Sequence, residues 1–129
     1  MENEVEILVA DDEPAVALAI KSALRFCGYA VQTAGGGEEA LKLIREHPGR
    51  FALLITDHNM PQLGGLALVR ALRASDFPGR IMILSGFLSS AVEREYEGLG
   101  VDQILAKPFT VVRLREAVER AVHPAGCGA

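Results

Sequence analysis

Short runs of apolar residues alternate along this chain with longer segments in which apolar positions recur every three or four residues. "VEILVA" (5–10) reads as a buried strand. The segment from Pro14 to Cys27 places Val16, Ile20, Ala23, Leu24 and Cys27 on one helical face, and Gly28 ends that helix as a C-cap. The unit then repeats. "YAVQTA" (29–34) precedes a helix near 38–47, "FALLIT" (51–56) one near 65–74, "RIMILS" (80–85) one near 90–98, and "VDQILA" (101–106) one near 111–122. The last helix carries Leu114, Ala117, Val118, Ala121 and Val122 on one stripe, with Thr110 as its N-cap. The segment 92–99 is different: Glu93, Arg94, Glu95 and Glu97 leave it few apolar residues, so a weakly packed helix is expected there. Continuous apolar strands separated by helices imply a parallel sheet covered on both faces, the doubly wound α/β class, with five strands and five helices.

A length of 129 residues, half of them hydrophobic, suits one domain spanning 1–129, with a core over 5–122 and a flexible "HPAGCGA" tail over 123–129. The net charge of -4 comes from 13 basic residues scattered among 17 acidic ones and makes no cationic stripe for nucleic acid. The N-terminus lacks a signal-peptide pattern and no window resembles a membrane span, so a cytoplasmic protein is expected. Two cysteines at unrelated positions, Cys27 and Cys127, suit a reducing compartment better than a disulfide framework.

Ligands of open parallel sheets bind outside the carboxyl ends of the strands. Here the first strand runs into Asp11, Asp12 and Glu13, the third into Asp57, the fourth into Ser85 and the fifth into Lys107. Each has an ordinary explanation alone: the three acids could cap the first helix, Asp57 a turn, Ser85 could bond backbone, and Lys107 could be solvated. Their conjunction on four strand ends of one rim points to chemistry. Neighbouring carboxylates repel and stay ionised only with a cation between them, and an all-oxygen site suits Mg²⁺. With that charge screened, Asp57 is the best placed nucleophile, able to attack phosphorus and become an acyl phosphate.

In the order "LVADDEP", "LLITDHNMP", "ILSG" and "ILAKPF", the chain resembles the receiver domain of bacterial two-component response regulators over residues 5–122. The resemblance implies a flavodoxin-like sheet of strand order 2-1-3-4-5. It implies that Asp57 accepts a phosphoryl group from a histidine kinase or histidine phosphotransfer protein. Asp12, Asp57 and the backbone carbonyl of Asn59 would hold Mg²⁺, with Asp11 acting through water. Lys107 would pair with the phosphoryl oxygens and Ser85 would move to bond them. The Lys107-Pro108 peptide is expected to be cis.

Ile104 stands where many receivers carry an aromatic residue that rotates inward as part of the switch, and Gly64 replaces a frequent acid. The resemblance implies that Asn59 and Phe87 flank the path of a hydrolytic water, with Phe87 expected to exclude it. Residues around 90–106 and the last helix are expected to form the face for a downstream protein target, and the resemblance leaves room for a phosphorylation-dependent dimer. The resemblance implies a phosphorylation switch and no enzyme beyond its own phosphotransfer and slow autodephosphorylation.

Other readings are set against these. "GGG" (35–37) lacks dinucleotide-loop spacing and reads as a glycine turn before a helix. His58 should alternate away from Asp57 and not ligate a metal. His47 and His123 read as helix-end residues. A Mg²⁺-dependent aspartyl-phosphate phosphatase would commonly show an acid two residues after its nucleophile, where this chain has Asn59. A degenerate receiver is disfavoured by the intact acid, hydroxyl and lysine set. A segment excised from a hybrid histidine kinase stays open: the chain ends about seven residues after the last helix, so its output is expected to come from a partner or from further polypeptide.

Overall fold

The computed structural model describes residues 5–123. The elements follow in strict alternation: β1 (Glu6–Ala10), α1 (Pro14–Phe26), β2 (Ala30–Ala34), α2 (Gly37–Glu46), β3 (Leu53–Asp57), α3 (Gly65–Ala74), β4 (Arg80–Ser85), α4 (Ser90–Gly98), β5 (Gln103–Ala106) and α5 (Val111–Val122). All strand pairs are parallel, in the order β2-β1-β3-β4-β5. Ten expected elements are all present, α3, β4, α4 and α5 with the predicted bounds and the others shifted by one or two residues at one or both ends. The expectation of a flexible tail over 123–129 falls, beyond His123, outside the described residues.

A period of two sorts the strand residues between two apolar layers. Ile7, Val9, Leu53, Ile55, Met82 and Leu84 face Ile20 and Leu24 of α1 and Leu114, Ala117, Val118 and Ala121 of α5. Leu8, Ala10, Leu54, Ile81 and Ile83 face the other way, onto Ala40 and Ile44 of α2, Leu68, Val69 and Leu72 of α3, and Tyr96 of α4. Burial on both faces is why the strands are apolar throughout and do not alternate in polarity. Thr110 caps α5 by accepting from the Arg113 N–H at 3.1 Å, as its position before the apolar stripe predicts.

One expectation needs correction and a second needs detail. Cys27 does not join the buried face of α1; it is the exposed C-cap, because its N–H turns back onto the Leu24 carbonyl and takes it off the helical stripe. Gly28, at φ +98°, then reverses the chain in a region that favours glycine. The second concerns α4. Its exposed face is as polar as expected, but Tyr96 is fully buried in the core, with Val92 and Leu99 packed against the same cluster. The helix is therefore anchored by one large aromatic. Arg73 also binds its C-terminal end, donating to the carbonyls of Leu99 (2.7 Å) and Gly100 (3.0 Å).

The glycine run before α2 has a packing reason as well as a turning one. A Cβ on Gly37 would stand 2.3 Å from the Leu63 carbonyl oxygen, so α2 can begin only where no side chain separates it from the β3–α3 loop. Gly36 has open space around the same position. Gly37→Ala is expected to lower stability by about 1–3 kcal/mol through forced backbone movement. Gly36→Ala should change it by less than about 1 kcal/mol, at the level of an altered N-cap. Urea denaturation of the two variants checks the contrast.

Candidate functional site

The sheet register brings the polar strand ends to one level. Ala10 pairs with Thr56, so Asp11 stands beside Asp57, while Asp57 pairs with Leu84 and Ser85 with Ala106, which carries Ser85 and Lys107 to the same rim. Backbone bonds hold these ends in place: the Asp11 N–H donates to the Ala34 carbonyl (3.1 Å) and the Lys107 N–H to the Ser85 carbonyl (2.8 Å). The Lys107-Pro108 peptide is cis. Lys107 Nζ reaches Asp57 Oδ1 at 2.7 Å. One carboxylate oxygen from each of Asp11, Asp12 and Asp57 lies within 4.8 Å of the others. Asp11 and Asp57 are buried while Asp12 is exposed, so the cluster is open to solvent on one side.

Burial sets the electrostatics. Asp11 is only 1% exposed; its Oδ1 accepts from the Glu13 N–H at 2.9 Å, and its Oδ2 is buried without a protein partner. Its pKa is raised, first by burial and then by the charge of Asp57, against the lowering effects of the Glu13 N–H and Lys107. For Lys107, burial works against the charged form, but the hydrogen bond and charge of Asp57 outweigh it and raise the pKa. Glu13 occupies the N-cap of α1 with no side-chain hydrogen bond, so the acidic run is not spent on capping that helix. An unpartnered buried carboxylate oxygen beside two further acids fits a divalent cation with oxygen ligands.

A sequence model of the response regulator receiver domain matches residues 7–119. The chain belongs to the response regulator receiver family, a family of phosphorylation switches. It is 30% identical to a probable chemotaxis protein CheY of Rhizobium etli, over 91% of this chain and 92% of that protein. It is 39% identical to the virulence sensor protein BvgS of Bordetella pertussis, over 93% of this chain but 10% of that protein. In the transcriptional regulatory protein PrrA of Mycobacterium tuberculosis the match, at 36% identity, spans 51% of the relative. The chain thus spans nearly all of one relative and a minor or middling part of the others. Among solved structures, the chemotaxis protein CheY4 of Vibrio cholerae superposes with a TM-score of 0.85 at 29% identity, covering 92% of this chain and 99% of that one.

The remaining receiver positions are distributed around the cluster. Ser85 is buried and its hydroxyl closes a tight turn with Phe87, donating to the Phe87 carbonyl (3.0 Å) and accepting from the Phe87 N–H (3.2 Å). To donate to any new acceptor, Ser85 must give up the bond to the Phe87 carbonyl. Phe87 is 81% exposed. Asn59 is exposed just past β3, and Gly64 forms the N-cap of α3 without a side-chain bond. Ile104 is half-buried against the layer that holds Tyr96. The His58 ring is turned away from the acids, with Nδ1 2.6 Å from the Tyr96 hydroxyl. His47 and His123 are helix C-caps. Tyr96 is the residue that sequence reasoning missed. Val92, Tyr96 and Leu99 recur at i, i+4 and i+7, a spacing that marks a buried face even in so polar a helix.

The raised pKa of Asp11 makes a signed prediction. A carboxyl that holds its proton more tightly when folded weakens folding as pH rises from the ordinary value of 3.8 through the raised one. Asp11→Asn removes that penalty while keeping an acceptor for Glu13. In metal-free buffer at pH 7 it should stabilise the domain. The gain should fade as pH drops below the ordinary carboxylate value, measured by urea denaturation with chelator across the range.

Proposed function

We propose that this receiver takes a phosphoryl group on Asp57 from a histidine kinase or a histidine phosphotransfer protein. The supporting observation is the 2.7 Å contact of Lys107 with Asp57 beside the unpartnered buried oxygen of Asp11. In the transfer, a free oxygen of Asp57 forms a bond to phosphorus as the bond from phosphorus to the donor imidazole nitrogen breaks, and the imidazole keeps that electron pair. Lys107 then balances the phosphoryl oxygens, having already been held at the spot by Asp57. Asp12, Asp57 and the Asn59 carbonyl would hold Mg²⁺, with Asp11 through water. The ion would supply neutralisation of negative charge around the transferring group. Ser85 exchanges the bond it donates to the Phe87 carbonyl for one donated to a phosphoryl oxygen, which loosens the start of the β4–α4 loop and shifts the face formed by α4, β5 and α5. That face would meet the downstream protein target, in a cytoplasmic pathway and without direct contact to nucleic acid. It would also serve any phosphorylation-dependent dimer. Among the described residues no helix is long and apolar enough to cross a membrane.

Two related readings bear on context. The match to a tenth of BvgS favours a receiver segment of a hybrid histidine kinase as the second setting for this chain, while the near full-length match to CheY favours a free-standing one. A Mg²⁺-dependent phosphatase with Asp57 as nucleophile is disfavoured by Asn59, which is not an acid. Hydrolysis of the acyl phosphate by this chain would be slow and a side reaction of the switch.

Acetyl phosphate with Mg²⁺ should add one phosphoryl group to the wild type and none to Asp57→Asn, read by intact mass; equal labelling would exclude Asp57. Asp12→Ala should abolish measurable Mg²⁺ affinity in a titration, because the hydrated ion then loses one of two direct carboxylates. A further expectation concerns lifetime. Phe87 would shield the phosphoryl group only by closing inward once Ser85 leaves its turn, and Phe87→Glu should then hasten phosphoryl loss about tenfold, or roughly 1.4 kcal/mol of barrier. A decay rate equal to wild type would rule out the shield.

A further inference from the structure

One polar contact outside the acid cluster joins the residue after Asp57 to the helix expected to move. The strand alternation that aims Asp57 at the α1 and α5 side sends His58 to the opposite side, where α3 and α4 pack. The His58 backbone is fixed at both ends: its N–H donates to the Leu84 carbonyl (2.9 Å) and its carbonyl accepts from the Gly65 N–H (3.0 Å). Its Nδ1 lies 2.6 Å from the Tyr96 hydroxyl, and the rings meet edge to face with centroids 5.6 Å apart. The corridor between them is held open by Gly65, whose Cβ would stand 2.7 Å from the Asp57 carbonyl oxygen and 3.0 Å from the Tyr96 hydroxyl.

Tyr96 is the sole buried residue of α4. The other polar ties on that helix are the exposed Arg70–Glu95 ion pair, weak in water, and the Arg73 bonds beyond its last turn. Burial, and after it the negative charge of Asp57, push the Tyr96 pKa well above the ordinary tyrosine value, so the phenol keeps its proton for hydrogen bonding. Ile104 packs against the same cluster. The aromatic that approaches the rim in this chain therefore comes from α4, not from β5.

The geometry points to His58 and Tyr96 as positioning residues: their hydrogen bond ties α4 to the end of β3, so the placement of α4 and the reactivity of Asp57 toward a phosphodonor are linked. This rests on the reading of Asp57 as phosphoacceptor. Linkage between equilibria is reciprocal: if phosphorylation favours a shifted α4, freeing α4 raises the population of the state that phosphorylation favours, and labelling is faster where the donor reacts with that population. Replacing the hydroxyl by hydrogen in Tyr96→Phe keeps the ring in the core and removes only the tie. His58→Leu removes it from the other side, and His58→Asn restores a polar atom near the Nδ1 position.

The full chain is the right object for the test. Amide exchange over Ser90–Gly98 and the rate of Asp57 labelling by acetyl phosphate with Mg²⁺ are measured for wild type, Tyr96→Phe, His58→Leu, the double variant and His58→Asn. Tyr96→Phe and His58→Leu should each raise both rates about fivefold or more. The double variant should go no further, and His58→Asn should return both toward wild type. A structural contact alone would raise α4 exchange and leave labelling untouched, and that result, or additive effects in the double variant, overturns the link. Unchanged α4 exchange overturns it too. A wild type that takes no label at Asp57 sinks the phosphoacceptor reading and the link with it, whereas a labelled wild type with variants of equal rate defeats the link alone.

Discussion

The rim of this domain is organised by the ion pair between Lys107 and Asp57. Three carboxylates approach one another at the carboxyl edge of the sheet, and each would be more stable apart in water. The ammonium at 2.7 Å offsets part of that repulsion, and it reaches Asp57 only because β4 lies between β3 and β5 in register. What Lys107 leaves unbalanced falls on Asp11, whose second oxygen is buried with no protein partner. The resting site is thus a place where excess negative charge is held under apolar strands. Such a site favours an added cation and a group that Lys107 can share.

That strain is tolerable because the layers beneath it are closely packed. β1, β3 and β4 are covered on both faces, so the strand ends have little freedom to splay and let the acids separate. The period of two along β3 then divides the labour. Asp57 turns to one side of the rim and His58 to the other, and one peptide unit separates the charge cluster from the core of α3 and α4. On the core side, the His58 ring meets the Tyr96 hydroxyl of α4. On the rim side, the Ser85 hydroxyl is occupied by the loop leading into the same helix.

Much of this was legible from the chain alone. Element type and order followed from apolar runs alternating with helical spacing, since burial on both faces of a parallel sheet leaves a continuous apolar signature. The acids, Ser85 and Lys107 stood out because each sits immediately after such a run, the place where parallel sheets present side chains to ligands. Local rules also located Thr110 as a cap and Gly28 as a helix terminator, as these depend on neighbours a few residues away.

Distance in sequence marks where that legibility stopped. Periodicity put Cys27 on a buried stripe because it does not register the turn that ends α1. A count of charges marked α4 as weakly packed but missed its anchor, because one tyrosine among glutamates carries little weight in a pattern but fills a large volume in a core. The need for Gly37 came from Leu63, and the need for Gly65 from Asp57, His58 and Tyr96 meeting at one point. By itself the sequence determined which acids, hydroxyl and lysine stand at the strand ends. Only the tertiary structure decided which of them touch, because contacts such as Lys107 with Asp57 and His58 with Tyr96 depend on strand register and helix docking, and these are set by packing across the whole fold.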